Sequence, residues 1–203
     1  ENPYLDNQLK QLEMQFNATK QRLQNKFGTQ KFIVYFQSFT NTYAPFSTLK
    51  ALYEKALSFD NVIGLSIGTR TDCVTDEILD YLVDLSKDKE IWIEFGIQSF
   101  FDETLININR GDTSSNMKYW INRSKEKGLN VCGHLIYGLP NETQEMMLET
   151  FRQTVELKVD SIKFHPLYVV KNTLLTNEFK KGRFTPISEE LYIDTVVKSI
   201  KIL

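Results

Sequence analysis

The stretch 91-IWIEFGIQSFFDETLININRGDT-113 decides how the chain is read. Its apolar start has the composition of a buried strand, yet Glu94 and Gln98 stand inside it. With a side-chain period of two, Ile91, Ile93, Phe95 and Ile97 share one face, and Trp92, Glu94, Gly96 and Gln98 share the other. The first face is made for helices to cover. The second carries polar groups, and each of these costs about 1–3 kcal/mol if buried without a partner.

The same division recurs along the chain. In 32-FIVYFQS-38, Phe32, Val34 and Phe36 oppose Ile33, Tyr35 and Gln37. In 62-VIGLSIGT-69, Ile63, Leu65 and Ile67 oppose Gly64, Ser66, Gly68 and, past the run, Arg70. In 130-NVCGHLIYGL-139, Cys132, His134, Ile136 and Gly138 share a face, and in 161-SIKFHPLYVV-170 so do Ser161, Lys163 and His165. Between these runs, 45–59, 76–87, 114–128 and 142–157 space their apolar residues at three and four, with Thr75 as a helix start and Gly128 as a helix stop. Two further helices are expected at 4–28 and 188–203. Alternating strands and helices predict an α/β fold with a parallel sheet and right-handed crossovers. Five strands with small or polar faces are costly in an open sheet covered on both sides. They fit the inside of a barrel wide enough to hold a polar ligand.

Composition narrows the function. A chain of 203 residues with 41% hydrophobic content can bury one sizeable core, and a net charge of -2 gives no general attraction for nucleic acid. The basic run 180-KKGR-183 and the residues Lys20, Arg22, Lys26 and Lys31 read as solvated surface. Two cysteines, no signal-like start and no apolar run of about 18 residues fit a reducing cytoplasm and disfavour a disulfide scaffold or a membrane span.

Ligand sites in such barrels gather at the C-terminal strand ends, where Gln37, Ser38, Thr69, Arg70, Gln98, Gly138 and His165 fall. The loop 138-GLPNET-143 then opens a helix, with Thr143 or Asn141 available as its cap. Each residue has an ordinary alternative: a structural hydrogen bond for a strand-end Gln or Thr, a satisfied core position for His134, an ion pair with Asp72 for Arg70. Convergence from five strands is what favours a site. No metal site is expected, because Cys73 and Cys132 are 59 positions apart and His134 and His165 are 31 apart. No nucleophile elbow, P-loop or dinucleotide fingerprint is present. Lys163 on a polar barrel face supports a rival reading as a Schiff-base lyase. A third reading is a non-catalytic ligand-binding or interaction module with the helix from Tyr4 to Phe27 as its partner surface.

The pieces YFQSFTNTYAP, GLSIGTRTDCV, FGIQSFFDETLININRGDT, GHLIYGLPNET and SIKFHPLYVVKNTLL, in this order, resemble the radical S-adenosylmethionine (SAM) superfamily. They are most similar to its YhcC-like branch, related to the Elongator catalytic subunit and to coproporphyrinogen dehydrogenase-like proteins. The resemblance runs from Lys31 to the end and implies an incomplete (β/α)6 barrel. It implies that Gln37 and Ser38 stand at the end of the family's second strand, where relatives hold the methionine amino group with a Gly-Gly-Glu turn, here Gln-Ser-Phe-Thr. It also implies that Thr69 and Arg70 end the third strand, and that Gln98 and Arg110 touch the ribose and carboxylate of SAM. Glu94 joins this cofactor-facing set. His134 and the backbone of Ile136, Tyr137 and Gly138 match the adenine pocket, and Lys163 and His165 face the substrate side; the resemblance leaves the catalytic residue unknown.

The family's CxxxCxxC loop, which holds a [4Fe-4S] cluster, is absent from these 203 residues. Beginning at Glu1 rather than Met, and showing strands two to six without strand one, the chain reads as a fragment that starts after that loop. On this reading residues 1–30 are an amphipathic connector and residues 31–203 the barrel core. The resemblance implies an oxidoreductase-like parent that uses SAM and a [4Fe-4S] cluster, takes electrons from a donor such as flavodoxin or ferredoxin, and acts on tRNA. Porphyrin is a second substrate class. The isolated chain is expected to be inactive; the alternative account is a binding protein without radical chemistry.

Overall fold

The computed structural model describes residues 3–203; Glu1 and Asn2, with which the expected connector begins, lie outside the described residues. Among the described residues eight α-helices and five strands follow one another, and the strands form one sheet in the order β1-β2-β3-β4-β5. No helix among the described residues is long and apolar enough to cross a membrane. The chain divides into two compact units, Glu1–Glu94 with Glu126–Asn130, and Phe95–Lys125 with Val131–Leu203.

In the first unit, α1 (Pro3–Phe27) is an exposed amphipathic helix held by one stripe: Phe16 stacks on Phe59 with centroids 4.5 Å apart and meets Phe32 edge-on at 6.0 Å. Glu13 adds an ion pair to Lys55 at 2.7 Å. Strand β1 (Phe32–Phe36) pairs in parallel with β2 (Val62–Thr69). Between them α2 (Phe46–Leu57) buries Leu49, Tyr53 and Ala56 at the helical spacing. Leu65 and Ile67 are fully buried, each worth about 1.5–3 kcal/mol relative to exposure. Helix α3 (Asp76–Ser86) starts where expected, with Thr75 Oγ1 accepting from Ile78 N at 3.3 Å. It leads to β3 (Glu90–Gln98).

Two expectations are corrected here. Ile63 does not join Leu65 and Ile67: the β1–β2 register slips between Phe32 and Ile33, Ile33 pairs with Gly64, and Ile63 is 40% exposed. A Cβ on Gly64 would strike the Glu90 carbonyl, so only glycine lets the bulged strand lie this close to β3. The first strand also stops at Phe36. Gln37 and Ser38 therefore belong to the following turn, in which Phe39 adopts φ 60.

The second unit begins with the end of β3, where Phe95 and Ile97 are fully buried. A short helix unforeseen in the sequence, α4 (Asp102–Asn107), precedes α5 (Ser114–Glu126). Strands β4 (Asn130–Tyr137) and β5 (Ser161–Pro166) pair in parallel, with Cys132 opposite Ser161 and His134 opposite Lys163. Helix α6 (Gln144–Glu156) buries Met147, Leu148 and Phe151, and Phe151 stacks on Phe164 of β5 at 5.6 Å. Glycine at 133 admits Ile97 and Thr154, whose carbons lie 2.9 and 3.2 Å from where a Cβ would stand. Strand β5 ends at Pro166 rather than at Val170: Pro166 pairs with Tyr137, and Leu167 N makes a last hydrogen bond to Tyr137 O at 2.9 Å, where β4 also ends. A second unforeseen helix, α7 (Leu174–Lys180), comes before α8 (Glu189–Ile200).

Candidate functional site

In the first unit the polar faces of three strands meet at one carboxylate. Glu94 of β3 is 5% exposed and accepts hydrogen bonds from Tyr35 Oη of β1 at 2.8 Å and from Ser66 Oγ of β2. A carboxylate this buried persists because both its oxygens are satisfied. Glu94 thus lies on the polar face, as the alternation predicts, with protein hydroxyls on its oxygens.

The strand-end residues of this unit divide. Thr69 is buried, and its hydroxyl sits 2.5 Å from that of Thr42, which also donates to Cys73 O at 2.7 Å. These bonds tie the end of β2 to the loops that carry Thr42 and Cys73. Arg70 forks onto Asp72 through Nε and Nη2 at 2.7 and 2.6 Å, the ion pair that the sequence offered as its alternative. Gln37 and Ser38 stay exposed on a turn fixed by Asn41, whose Nδ2 donates to the carbonyls of Phe36, Ser38 and Gly68. Cys73 lies between these loops, its thiol pushed up by burial and by the Asp72 carboxylate, which the nearby Thr40 hydroxyl and Arg70 only partly offset.

In the second unit Gln98 and Arg110 come together over Gly96. A Cβ at Gly96 would stand 2.7 Å from Gln98 Nε2 and 3.1 Å from Arg110 Nη2, and that Nη2 donates to Gly96 O. Gln98 adopts φ 69, a left-handed conformation that ends β3 and turns the chain. Its Oε1 is buried with no protein hydrogen-bond partner. That acceptor, beside an arginine, is open to a polar group.

On the neighbouring strands His134 Nδ1 and His165 Nε2 lie 3.2 Å apart, with ring centroids 5.2 Å apart and planes inclined by 22°. The two separations differ by about the width of one imidazole ring, so the rings meet edge to edge, one nitrogen donating to the other. The register explains it: His165 is opposite Ile136, diagonal to His134 on the same face. Two positions before His134, Cys132 brings its thiol within 4.8 Å of the imidazole, a Cys-x-His spacing that comparing cysteines only with cysteines overlooks. Tyr137 turns away from this face. Its hydroxyl lies 2.7 Å from Ser199 Oγ, and burial raises its pKa to about 12.

The loop after β4 is tightly held. Gly138 has φ 90, and Ile187 carbons lie 2.6 and 2.7 Å from where its Cβ would stand. Thr143 caps α6, accepting from Met146 N at 3.3 Å. Glu142, which the sequence reading passed over, accepts from Ser99 Oγ at 2.5 Å. Burial raises its carboxyl above the ordinary value, against the pull of the Ser99 and Thr104 hydroxyls.

These features have a known counterpart. The profile of the Radical SAM superfamily matches residues 8–154, and that of the Radical_SAM C-terminal domain matches residues 159–203. The chain belongs to the radical SAM superfamily. It is 36% identical over 200 residues to the uncharacterized protein YtqA of Bacillus subtilis, covering 98% of this chain and 62% of that one. It is 40% identical over 173 residues to protein YhcC of Escherichia coli K12, covering 84% of this chain and 56% of that one, which supports the YhcC-like branch. A tRNA uridine(34) acetyltransferase of Methanocaldococcus jannaschii is 28% identical over 137 residues, 66% of this chain and 25% of that one. Among solved structures, the Elp3 of Methanocaldococcus infernus with its N-terminus deleted superposes with TM-score 0.81 at 22% identity, over 95% of this chain and 50% of that one. That likeness shows the fold, an α/β partial radical SAM barrel. This radical SAM chain spans little more than half the length of the first two relatives.

Proposed function

We propose that this chain is the SAM-cradling part of a radical SAM enzyme that takes a hydrogen atom from a carbon of a tRNA wobble-uridine side chain. The observation that carries the SAM reading is the Gln98–Arg110 pair over Gly96, with Gln98 Oε1 buried and unpartnered. The donor set suits SAM. The guanidinium fork of Arg110 matches a carboxylate, and the Gln98 amide carbonyl can accept from a ribose hydroxyl. Gly96 leaves the space over the strand in which those two side chains lie. His134, with the backbone from Ile136 to Gly138, flanks the adenine, while Lys163 and His165 line the substrate side.

A [4Fe-4S] cluster does not fit the cysteines present. Cys73 and Cys132 are two where three thiolates are required, and Cys132 is buried in β4. In this proposal the cluster would be held by a part of the protein outside these residues and would take electrons from a flavodoxin- or ferredoxin-like donor in the cytoplasm; with SAM it would supply a 5'-deoxyadenosyl radical. The chain's own residues bind and orient SAM, and within the first unit Tyr35 and Ser66 hold the Glu94 carboxylate.

The tRNA part of the proposal rests on the similarity to the tRNA uridine(34) acetyltransferase. The protein with its cluster loop, reconstituted anaerobically and reduced, should form 5'-deoxyadenosine from SAM, and faster with uridine-34 tRNA than without. No 5'-deoxyadenosine would end the radical reading; formation indifferent to tRNA would end the substrate reading alone.

A further inference from the structure

Gln98 is held in its conformation from beyond its own strand. Ser99 N donates to Ile97 O at 2.9 Å across Gln98, whose φ is 69, so residues 97–99 form a γ-turn of the rare positive-φ kind. Such a conformation costs a non-glycine residue about 1–3 kcal/mol and persists only where the surroundings over-determine it. Here they do. Ser99 is fully buried, and its Oγ donates to Glu142 at 2.5 Å while accepting from Phe101 N at 3.1 Å. Phe100 N donates to Thr150 Oγ1 of α6 at 3.3 Å. The three residues that follow Gln98 are thus pinned by side chains, and the one that enters from the loop after β4 is Glu142.

Glu142 touches the support of Arg110 as well. Its carboxylate also accepts from the hydroxyl of Thr104, which is buried in α4. Leu105, the next residue, offers its carbonyl to Arg110 N at 2.8 Å. One carboxyl therefore stands between the turn that carries Gln98 and the helix to which Arg110 is tied. Glu142 is placed in turn by its own N–H, which donates to Leu139 O at 3.1 Å, with Asn141 at φ 67. All of these residues belong to the second unit.

We infer that Glu142 is a positioning residue for SAM: by holding Ser99 and Thr104 it keeps Gln98, and with it Arg110, set over Gly96. The inference rests on the SAM reading above. The role asks only for an acceptor, so an amide serves in place of the carboxyl. Without an acceptor the Ser99 hydroxyl is left buried and unsatisfied, and the turn at Gln98 is free to relax toward ordinary extended backbone. The Gln98 carbonyl then leaves the place where it meets a ribose hydroxyl, and a hydrogen bond stretched to about 3.6 Å is no longer one.

The test is a double-mutant cycle read by equilibrium dialysis of labelled SAM against the 203-residue chain. Glu142→Ala should weaken SAM binding about five- to ten-fold, and Glu142→Gln should keep the wild-type affinity. In a Gln98→Ala background the same Glu142→Ala change should weaken binding by no more than about two- to three-fold, because Glu142 acts largely through the side chain already removed. Circular dichroism reports the fold of each variant separately. Should Glu142→Ala not fold, Ser99→Ala removes the same bond from the donor side and takes its place in the cycle. Unchanged affinity in the folded variant, or an equal loss in both backgrounds, overturns the positioning role and leaves the SAM reading standing. No saturable binding by the wild-type chain overturns the SAM reading and the role with it.

Discussion

Gln98 and Arg110 converge on one glycine: their terminal nitrogens lie 2.7 and 3.1 Å from where a Cβ on Gly96 would be. Both obstacles are the ends of flexible side chains, so Gly96→Ala should move the side chains rather than the strand. The expected outcome is a stability loss under about 1 kcal/mol with a large loss of SAM affinity, checked by urea denaturation and by calorimetric titration of SAM.

Glu94 offers a contrast, because both its oxygens accept from protein hydroxyls. Glu94→Ala removes the acceptor for Ser66, which is itself buried, and should cost about 1–3 kcal/mol. Tyr35→Phe, at a side chain 37% exposed, should cost less than about 1 kcal/mol because water can replace the lost bond. Urea midpoints at unchanged slope would establish the order.

Gly138→Ala meets two penalties, a φ of 90 and the side chain of Ile187 in its path. A loss of more than about 1 kcal/mol is expected in thermal or urea unfolding. Relieving the contact with Ile187→Ala on the same background should recover none of the part due to φ.

Glu142 sets a pH dependence whose sign is fixed. Burial raises its folded carboxyl above the ordinary 4.5, so the native protein holds that proton more tightly than the unfolded chain. Its contribution to stability is fully present below about pH 4.5 and is lost as pH rises through the raised folded value. Glu142→Gln should therefore gain stability relative to wild type over that interval and level off above it. Asp160 moves the other way: partial burial pushes its carboxyl up, but Lys125 and the Val131 N–H hold it below the ordinary range. It is common to both proteins, so the difference between their unfolding curves isolates Glu142.

The strand faces were legible because period-two alternation is local: Ile91, Ile93, Phe95 and Ile97 are buried, and Glu94 is on the opposite face. What the pattern hid depended on contacts distant in sequence. The bulge at Ile63 shows only in the β1–β2 register, and the occupation of the Thr69 hydroxyl comes from Thr42. The apolar run 161–170 does not show where β5 ends, because that end is set by the end of its partner β4 at Tyr137. The His134–His165 contact needed the β4–β5 register, which no spacing of 31 residues reveals. The left-handed Gln98 carries no sequence signal at all, and it is a residue on which the functional reading turns.

The central claim is that Gln98 and Arg110 form the SAM cradle. Equilibrium dialysis of labelled SAM against the 203-residue chain and its Gln98→Ala and Arg110→Ala variants tests it without any cluster chemistry. The account predicts saturable binding by the wild-type chain, weakened on the order of ten-fold or more in each variant, with the folded state retained by circular dichroism. Binding of equal strength in all three proteins, or none in the wild type, would contradict it.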